Sequence, residues 1–296
     1  MRRFSPALLF AFAAASCASA SASSAMTNAP SLWAASNPDW VEPIEPFRIH
    51  GDIFYVGTRG LSSFLIATPE GHFLIDGGLP ENAPIIAANI GKLGYDVKDI
   101  KYLLNSHAHF DHSGGLAALK EETGATMIAS EGDKWALETG LVPGSENDPD
   151  MAAPPVKVDR TIGDGENLTL GGVMLTARLT PGHTEGCTSW TMNSSGREVL
   201  FFCSATVAAN RLIGPPQYEG IVEDYRATFA RTKDWRPDIL LANHPGFFDM
   251  EEKRARQVAG DEAAFVDAEG FPAMMTKLEA AFEKAFAEQT AKAEKR

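Results

Sequence analysis

The sequence predicts an α/β protein in which two packed β-sheets carry helices on their outer faces. Short strand-like runs alternate with helix-like segments along the chain. The strand-rich first half ends in a cluster of histidines, and the strand-rich second half ends in single histidines. Of the 296 residues, 44% are hydrophobic and 22% are charged, a composition that argues against a disordered or fibrous chain.

The elements of the first half follow from apolar runs bounded by turn residues. Pro84 begins a predicted helix and Gly94 ends it. Another helix is expected to begin near Ser113, directly after the histidine cluster. The predicted strands are 53–56, 63–66, 72–75, 102–104 and 127–129, and the predicted helices are 84–93, 113–122 and 131–139.

The second half begins with a loop and then returns to strands. Residues 141–155 form an acidic, proline-containing loop, the segment most suited to set a substrate range. The last segment, 274–296, has an apolar stripe typical of a helix, and we assign it no function. The predicted strands are 167–170, 173–179, 187–192, 199–202 and 239–241, with a helix at 223–235.

The N-terminus has the layout of a secretory signal peptide. Arg2 and Arg3 precede a short apolar run, and small residues follow it. We expect residues 1–22 to be removed and residues 23–296 to form a single domain in the periplasm, with a helical C-terminal end. Lipid attachment at Cys17 is the second choice. The apolar run is too short to span a bilayer, and no other segment is long and apolar enough to do so.

Export changes how charge and cysteines are interpreted. Loss of two arginines and no acids moves the net charge from −13 to −15, which makes nucleic acid a poor partner. In an oxidising compartment, Cys187 and Cys203 on neighbouring predicted strands are expected to form a disulfide. The alternative is two separate buried thiols.

The stretch from His107 to His112 is the most informative in the sequence. It reads His-Ala-His-Phe-Asp-His and places three imidazoles and a carboxylate within six residues. On a helix, His107 and His109 would point about 200° apart, whereas on a strand end or loop they project to the same side. Asp111 and His112 are then free to face a second metal. Such a set of nitrogen and oxygen ligands favours zinc.

Two further histidines follow predicted strands. His183 and His244 each lie in a glycine-containing turn at a strand end. The remaining two, His50 and His72, have no ligand-like surroundings and are interpreted as ordinary residues.

The stretch 107–112, the Gly-His-Thr turn at His183 and the later His244 resemble, in this order, the metallo-β-lactamase superfamily. The resemblance covers about residues 50–250. It implies a four-layer αββα sandwich with the metals at the edge between two mixed sheets. It also implies two zinc ions, the first held by His107, His109 and His183 and the second by Asp111, His112 and His244.

The segment 202–206 indicates which branch of the superfamily the sequence resembles most. Thiolester hydrolases of the superfamily have a metal-bridging aspartate here, and one β-lactamase subclass has a cysteine ligand, but this chain has Ser204. The sequence is most similar to the third subclass of class B β-lactamases, which has an Asp-His-His second site. Strand alternation would turn Cys203 away from the metals towards Cys187, although a one-residue shift would make Cys203 a ligand.

The resemblance implies zinc-dependent hydrolysis of penicillins, cephalosporins and carbapenems, conferring antibiotic resistance. A zinc-bound hydroxide would attack the β-lactam carbonyl, with Asp111 a metal ligand first and a proton shuttle second. Ser204 and Thr206 would bind the substrate carboxylate, or else bond their own backbone. Asn210 would donate to the oxyanion.

Several alternatives stay open at this point. The chain could be another exported hydrolase of the superfamily, such as a lactonase or thiolesterase, or a non-catalytic zinc-binding protein. Trp33, Trp40 and Phe47 would form an apolar rim of the pocket, or else pack in the core. A monomer is favoured.

Overall fold

The computed structural model describes Met1 and residues 31–295. The predicted signal peptide beyond Met1, including Cys17, lies outside the described residues. In the described part of the chain, no helix is long and apolar enough to cross a membrane.

One mixed sheet is built from the first half of the chain. Its first three pairings are antiparallel and its last three are parallel. In spatial order its strands are β1 (Phe47–His50), β2 (Ile53–Tyr55), β3 (Phe64–Thr68), β4 (Gly71–Ile75), β5 (Ile100–Leu104), β6 (Thr126–Ser130) and β7 (Arg160–Ile162).

A second mixed sheet comes from the second half. Its strands are β8 (Asn167–Leu170), β9 (Val173–Leu179), β10 (Thr188–Ser194), β11 (Arg197–Phe202) and β12 (Ile239–Ala242). Neighbouring strands follow sequence order and are antiparallel, except that β11 and β12 are parallel. The carboxyl ends of β11 and β12 therefore lie side by side.

Helices connect and cover the strands. The described helices are α1 (Leu32–Ser36), α2 (Ala83–Lys92), α3 (Phe110–Ser113), α4 (Leu116–Thr123), α5 (Glu131–Thr139), α6 (Ile221–Thr232), α7 (Met250–Val258) and α8 (Gly270–Ala293).

Alternating side chains of the first sheet separate two apolar cores. Phe64 of β3 points between the sheets, where it packs edge-on against Phe201 of β11 with ring centroids 5.3 Å apart. Its neighbour Leu65 points outwards, into the core shared with α2, α4 and α5. On the other outer face, Tyr225 of α6 packs against Phe282 of α8. These contacts form the expected four-layer αββα sandwich.

The helix expected at 113–122 is divided in two, which corrects the prediction. The first turn begins earlier, at Phe110, and the longer helix begins only at Leu116. Gly114 and Gly115 separate them. At Gly115 a Cβ atom would lie 2.3 Å from the carbonyl oxygen of Gly77, so only glycine allows the chain to pass this close to the end of β4.

Candidate metal centre

Three of the predicted ligands come together from strand ends of different sheets. His107 and His109 lie on the segment that leaves β5, and His183 lies in the turn between β9 and β10. His109 Nδ1 is 3.1 Å from His183 Nε2, and the ring of His107 lies against both rings. We call these three residues the first group. Their nitrogens converge as those of chelating imidazoles do.

The first group has a buried nitrogen atom without a hydrogen-bond partner in the described part of the chain, as a metal-binding site does before the metal is bound. His107 Nε2 is buried and has no hydrogen-bond partner among the described residues. Its other nitrogen, Nδ1, lies 3.1 Å from Ser106 Oγ and can carry the proton. Leaving a buried polar nitrogen unpaired costs about 1–3 kcal/mol, and a cation bound at Nε2 removes that cost.

Asp111, His112 and His244 form a second group beside the first. The first two lie on α3, and His244 follows β12. Asp111 Oδ2 is 3.2 Å from His112 Nε2 and 3.4 Å from His244 Nε2. His244 Nδ1 lies 3.3 Å from the Gly60 carbonyl oxygen, which can accept a hydrogen bond from Nδ1–H and so leave Nε2 free to bind a metal.

The two groups together form a candidate dinuclear metal centre. In each group the potential ligand atoms lie within 4.8 Å of one another. The rings of His107 and His112 link the groups, with centroids 4.5 Å apart. The structure thus brings together all six residues that the sequence motif singled out.

Backbone and side-chain contacts orient His183. Its Nδ1 donates to the carbonyl oxygen of Thr206 over 2.7 Å, which leaves the Nε2 lone pair directed at the centre. The hydroxyl of Tyr225 donates to the same oxygen over 2.6 Å. The sequence run Glu223 to Arg226, which resembles the same β-lactamase subclass, includes Tyr225, but sequence reasoning gave this residue no role because it is remote from His183 along the chain.

Electrostatics distinguish the two groups. Burial lowers the pKa of His109 to about 4 and that of His183 to about 3, so both are neutral at pH 7. Burial also lowers the pKa of His112, but the adjacent Asp111 carboxylate more than offsets this and holds it above its ordinary value. The histidines in turn hold the pKa of Asp111 well below its ordinary value, despite its burial.

Asp76 supports the metal-binding loop and was not singled out by the sequence motif. It directly follows β4, with a φ of 62°, and is almost completely buried. Its Oδ1 accepts hydrogen bonds from Ser106 N over 2.7 Å and from Asn105 Nδ2 over 3.1 Å. The Asp-Gly-Gly sequence at a strand end was the available signal.

A cleft of about 270 Å³ opens above both groups. Trp33, Trp40 and Phe110 form part of its apolar wall, and Ser204 and Thr206 are among its polar residues. The hydroxyl oxygens of Ser204 and Thr206 lie 3.2 Å apart. Among the described residues that line the cleft, none is a lysine or arginine.

Two expectations about the cleft do not agree with the structure. Phe47 is buried between the sheets, stacked on Tyr55 with centroids 5.4 Å apart, so it does not contribute to the rim. Its place on β1 was not recognised from the sequence. Asn210 lines the cleft, but Nδ2 donates to the His183 carbonyl oxygen and to the Tyr225 hydroxyl. Both amide hydrogens are therefore used, which argues against donation to an oxyanion.

The expected disulfide between Cys187 and Cys203 is present, with the two Cα atoms 5.9 Å apart. It links the turn that carries His183 to the end of β11, directly before Ser204. The Cys203 sulfur is 3.2 Å from the Ser106 carbonyl oxygen, behind the first group. Because this sulfur is bonded to Cys187, Cys203 is not a free thiolate ligand.

An αββα sandwich with a three-histidine group and an Asp-His-His group at its strand ends defines a dinuclear metallohydrolase. The family model described as the metallo-β-lactamase superfamily matches residues 56–244, more than half of the chain. The protein belongs to this superfamily.

Solved structures place it near one subclass. It is 48% identical to BJP-1, a subclass B3 metallo-β-lactamase of Bradyrhizobium japonicum, with a TM-score of 0.83 over 86% of this chain and 98% of that one. For the metallo-β-lactamase FEZ-1 of Legionella gormanii the identity is 36% and the TM-score 0.79, over 84% and 98%. MEM-A1, a subclass B3 enzyme from a soil metagenome library, is 37% identical with a TM-score of 0.79, over 86% and 100%.

Curated relatives match a smaller part of this chain. A hydroxyacylglutathione hydrolase of Rhodospirillum rubrum is 33% identical over 135 residues, which are 45% of this chain and 42% of that protein. One of Rhizobium etli is 30% identical over a similar length, 46% and 44%. The chain thus spans less than half the length of the curated relatives it matches.

Proposed function

We propose that this protein hydrolyses the β-lactam ring of small-molecule antibiotics with two zinc ions, one in each group. The observation that carries the proposal is the number of ligands. Each group supplies three protein ligands at the floor of an open cleft. Three ligands leave a coordination position for water or substrate, as in catalytic rather than structural zinc sites.

The chain's own residues prepare the centre for this reaction. Two bound zinc ions would supply Lewis acidity for a carbonyl oxygen and activate a water molecule near neutral pH. His107, His109 and His183 present uncharged nitrogens without a cost of deprotonation at pH 7. Asp111 contributes the negative charge of the second group, and its role as a proton shuttle is secondary to holding the metal.

The walls of the cleft favour a substrate that is partly apolar. Trp33 stacks on Phe110 with ring centroids 4.8 Å apart and offers a flat apolar surface. We assign carboxylate binding to the hydroxyls of Ser204 and Thr206, which line the cleft, although Ser204 Oγ also accepts a hydrogen bond from Thr206 N over 3.2 Å. The likeness to the subclass B3 enzyme BJP-1, over 86% of this chain and 98% of that one, supports a β-lactam as the substrate.

A substrate panel tests the proposal. The zinc-loaded protein is expected to hydrolyse nitrocefin and a carbapenem, and EDTA is expected to abolish both reactions. Asp111→Ala should lose turnover, whereas Asp261→Ala, which removes a surface ion pair with Arg256, should retain it. No turnover of any β-lactam by the zinc-loaded protein would overturn the proposal.

The partial match to hydroxyacylglutathione hydrolases makes thiolester hydrolysis a second candidate. Ser204 argues against thiolester hydrolysis, since thiolester hydrolases of this superfamily have an aspartate at that position. Including S-lactoylglutathione in the same panel separates the two. Turnover of the thiolester alone would favour the second candidate.

We also propose that the protein is exported to the periplasm with cleavage near residue 22. The basic and apolar N-terminal sequence and the disulfide between Cys187 and Cys203 support this. N-terminal sequencing of the periplasmic fraction should find a start close to residue 23. A lipid-modified start at Cys17 would instead show membrane anchoring.

A further inference from the structure

A buried carboxylate lies behind the first group and outside the cleft. Asp133, in the first turn of α5, is 3% exposed. Its Oδ2 accepts hydrogen bonds from Ala108 N over 2.9 Å and from Thr184 Oγ1 over 3.0 Å. Its Oδ1 accepts one from Gly186 N over 3.0 Å. Burial raises the pKa of Asp133 to about 6, so the carboxylate is ionised at pH 7.

The three donors belong to the two loops that carry the first group. Ala108 lies between His107 and His109, and Thr184 directly follows His183. One carboxylate therefore bonds both loops at positions next to all three imidazoles. No donor to Asp133 belongs to α3 or to the segment after β12, which carry the second group.

The approach of the His183 loop to α5 is unusually close. A Cβ atom at Gly186 would lie 2.2 Å from Asp133 N, so only glycine fits at this position. Ser130 Oγ, at the start of α5, also donates to the Gly186 carbonyl oxygen over 2.5 Å. The beginning of α5 is thus a docking point for this loop rather than a distant neighbour.

Packing fixes α5 itself. Ala136 and Leu137 on α5 are buried in the core against the first sheet and anchor the helix there. Asp133 does not line the cleft and does not touch the six metal-binding side chains through hydrogen bonds. The hydrogen bonds of Asp133 therefore act on the metal centre through the two loops that they hold.

We propose that Asp133 is a positioning residue that sets the spacing of the two loops and thereby the metal affinity of the first group, without setting that of the second. The proposal rests on the metal-binding function given above. Buried carboxylates that orient metal ligands contribute about 10- to 100-fold to metal affinity. The effect of Asp133 should lie in that range and be confined to one group.

Single-group backgrounds isolate the effect. His244→Ala leaves the first group complete, and His183→Ala leaves the second complete. Asp133→Asn keeps the size of the side chain but directs an amide NH₂ at backbone or hydroxyl donors. We expect Asp133→Asn to weaken zinc binding about 10- to 100-fold in the His244→Ala background and less than about 3-fold in the His183→Ala background, measured by competition with a chromophoric chelator.

A matched control addresses general destabilisation. Asp159 also accepts a backbone hydrogen bond, from Met127 N over 2.9 Å, but it lies away from the ligand loops. Asp159→Asn should leave zinc affinity unchanged in both backgrounds. If Asp133→Asn fails to fold, Thr184→Val removes one of the three hydrogen bonds with little change of shape. It should then weaken the first group alone, by a smaller factor.

Equal loss of affinity in both backgrounds, or in neither, would overturn the inference. Cobalt substitution gives a second readout, because an altered first group changes the visible absorption spectrum of the cobalt form. Neither readout uses a β-lactam. If the inference fails, Asp133→Asn will change the zinc affinity equally in the two backgrounds or in neither. If the proposed function fails, the zinc-loaded protein will not hydrolyse a β-lactam.

Discussion

The protonation states of the histidines decide how each group binds a metal. Neutral imidazoles bind metals, and protons compete for the same nitrogens. The pKa of His109, about 4, and that of His183, about 3, lie below the ordinary value, so acid competes weakly at the first group. Asp111 holds the pKa of His112 above its ordinary value, so a proton competes with the metal there already near neutral pH.

Acid is therefore expected to release the metals in two steps. As the pH falls from 8 to 5.5, the second group should lose its zinc first, because His112 gains a proton while His109 and His183 stay neutral. Equilibrium dialysis with metal analysis at each pH measures this as a fall from two to one zinc per chain. His244→Ala should retain one zinc through the same range. Loss of both ions together would contradict the assignment.

Among individual residues, the metal ligands could be predicted from the sequence, but the aspartates that hold the ligand loops were not. The six metal-binding residues could be found because His107 to His112 lie in one short motif and because few other histidines compete. Asp76 was missed although the Asp-Gly-Gly sequence after a predicted strand was a signal for it. Asp133 could not be found, since the loops that it bonds are distant in the sequence and come close to it only when β5, β9 and α5 are assembled.

Two elements form the apolar side of the cleft. Trp33 of α1 stacks on Phe110 of α3, and its indole nitrogen donates to the carbonyl oxygen of Asp150 in the loop 141–155. On the same loop, the carbonyl oxygen of Pro143 accepts a hydrogen bond from Gln217 Nε2 over 2.6 Å. The loop is thus held from both sides of the cleft and offers a fixed surface to substrate.

Trp33→Ala should weaken binding of a β-lactam with an apolar side chain. Loss of this aromatic surface is expected to raise KM for nitrocefin roughly 5- to 30-fold, since an aromatic contact contributes about 1–2 kcal/mol, with a smaller effect on kcat. Trp135→Ala is the control, because Trp135 is 47% exposed on α5 and does not line the cleft. Equal KM values for both variants would contradict this role.

One helix and two strands could be predicted to the residue from the sequence, whereas the two edge strands of the first sheet could not. The bounds of α5, β8 and β9 agree with the predicted ranges. Strands β1 and β7, at the edges of that sheet, were missed; each has only three or four residues, and an exposed arginine interrupts its apolar pattern. The division between α3 and α4 depends on a close contact with the end of β4, which no local pattern reveals.

At the scale of the whole molecule, the metal centre lies where the two sheets meet, and the disulfide links two segments that border it. Cys187 and Cys203 are 16 positions apart in the sequence, and the whole of β10 and β11 lies between them. A cross-link that closes a loop of this length reduces the conformational entropy of the unfolded chain. In the chain-entropy model this stabilises the folded protein by about 3 kcal/mol.

Replacing both cysteines should lower the free energy of unfolding without abolishing metal binding. Cys187→Ala/Cys203→Ala is expected to lose about 3 kcal/mol in guanidinium unfolding of the metal-free protein. Wild-type protein kept reduced should show a similar loss. A double variant as stable as the oxidised wild type would show that the cross-link contributes nothing.

The four-layer arrangement could be anticipated from the order of strands and helices together with the family resemblance. The alternation of elements alone indicated two sheets with outer helices, but it did not determine which strands pair. That pairing depends on contacts between distant segments, such as Phe64 against Phe201. The same contacts bring the ligands of both groups from the two sheets to one cleft.

We propose that two zinc ions, one in each group, enable the protein to hydrolyse a β-lactam. The most direct test is to titrate the metal-free protein with zinc and to measure bound zinc and nitrocefin hydrolysis on the same samples. We expect no turnover without zinc and a maximal rate reached by two zinc ions per chain. Turnover by the metal-free protein, or a protein that binds two zinc ions and hydrolyses no β-lactam, would contradict the claim.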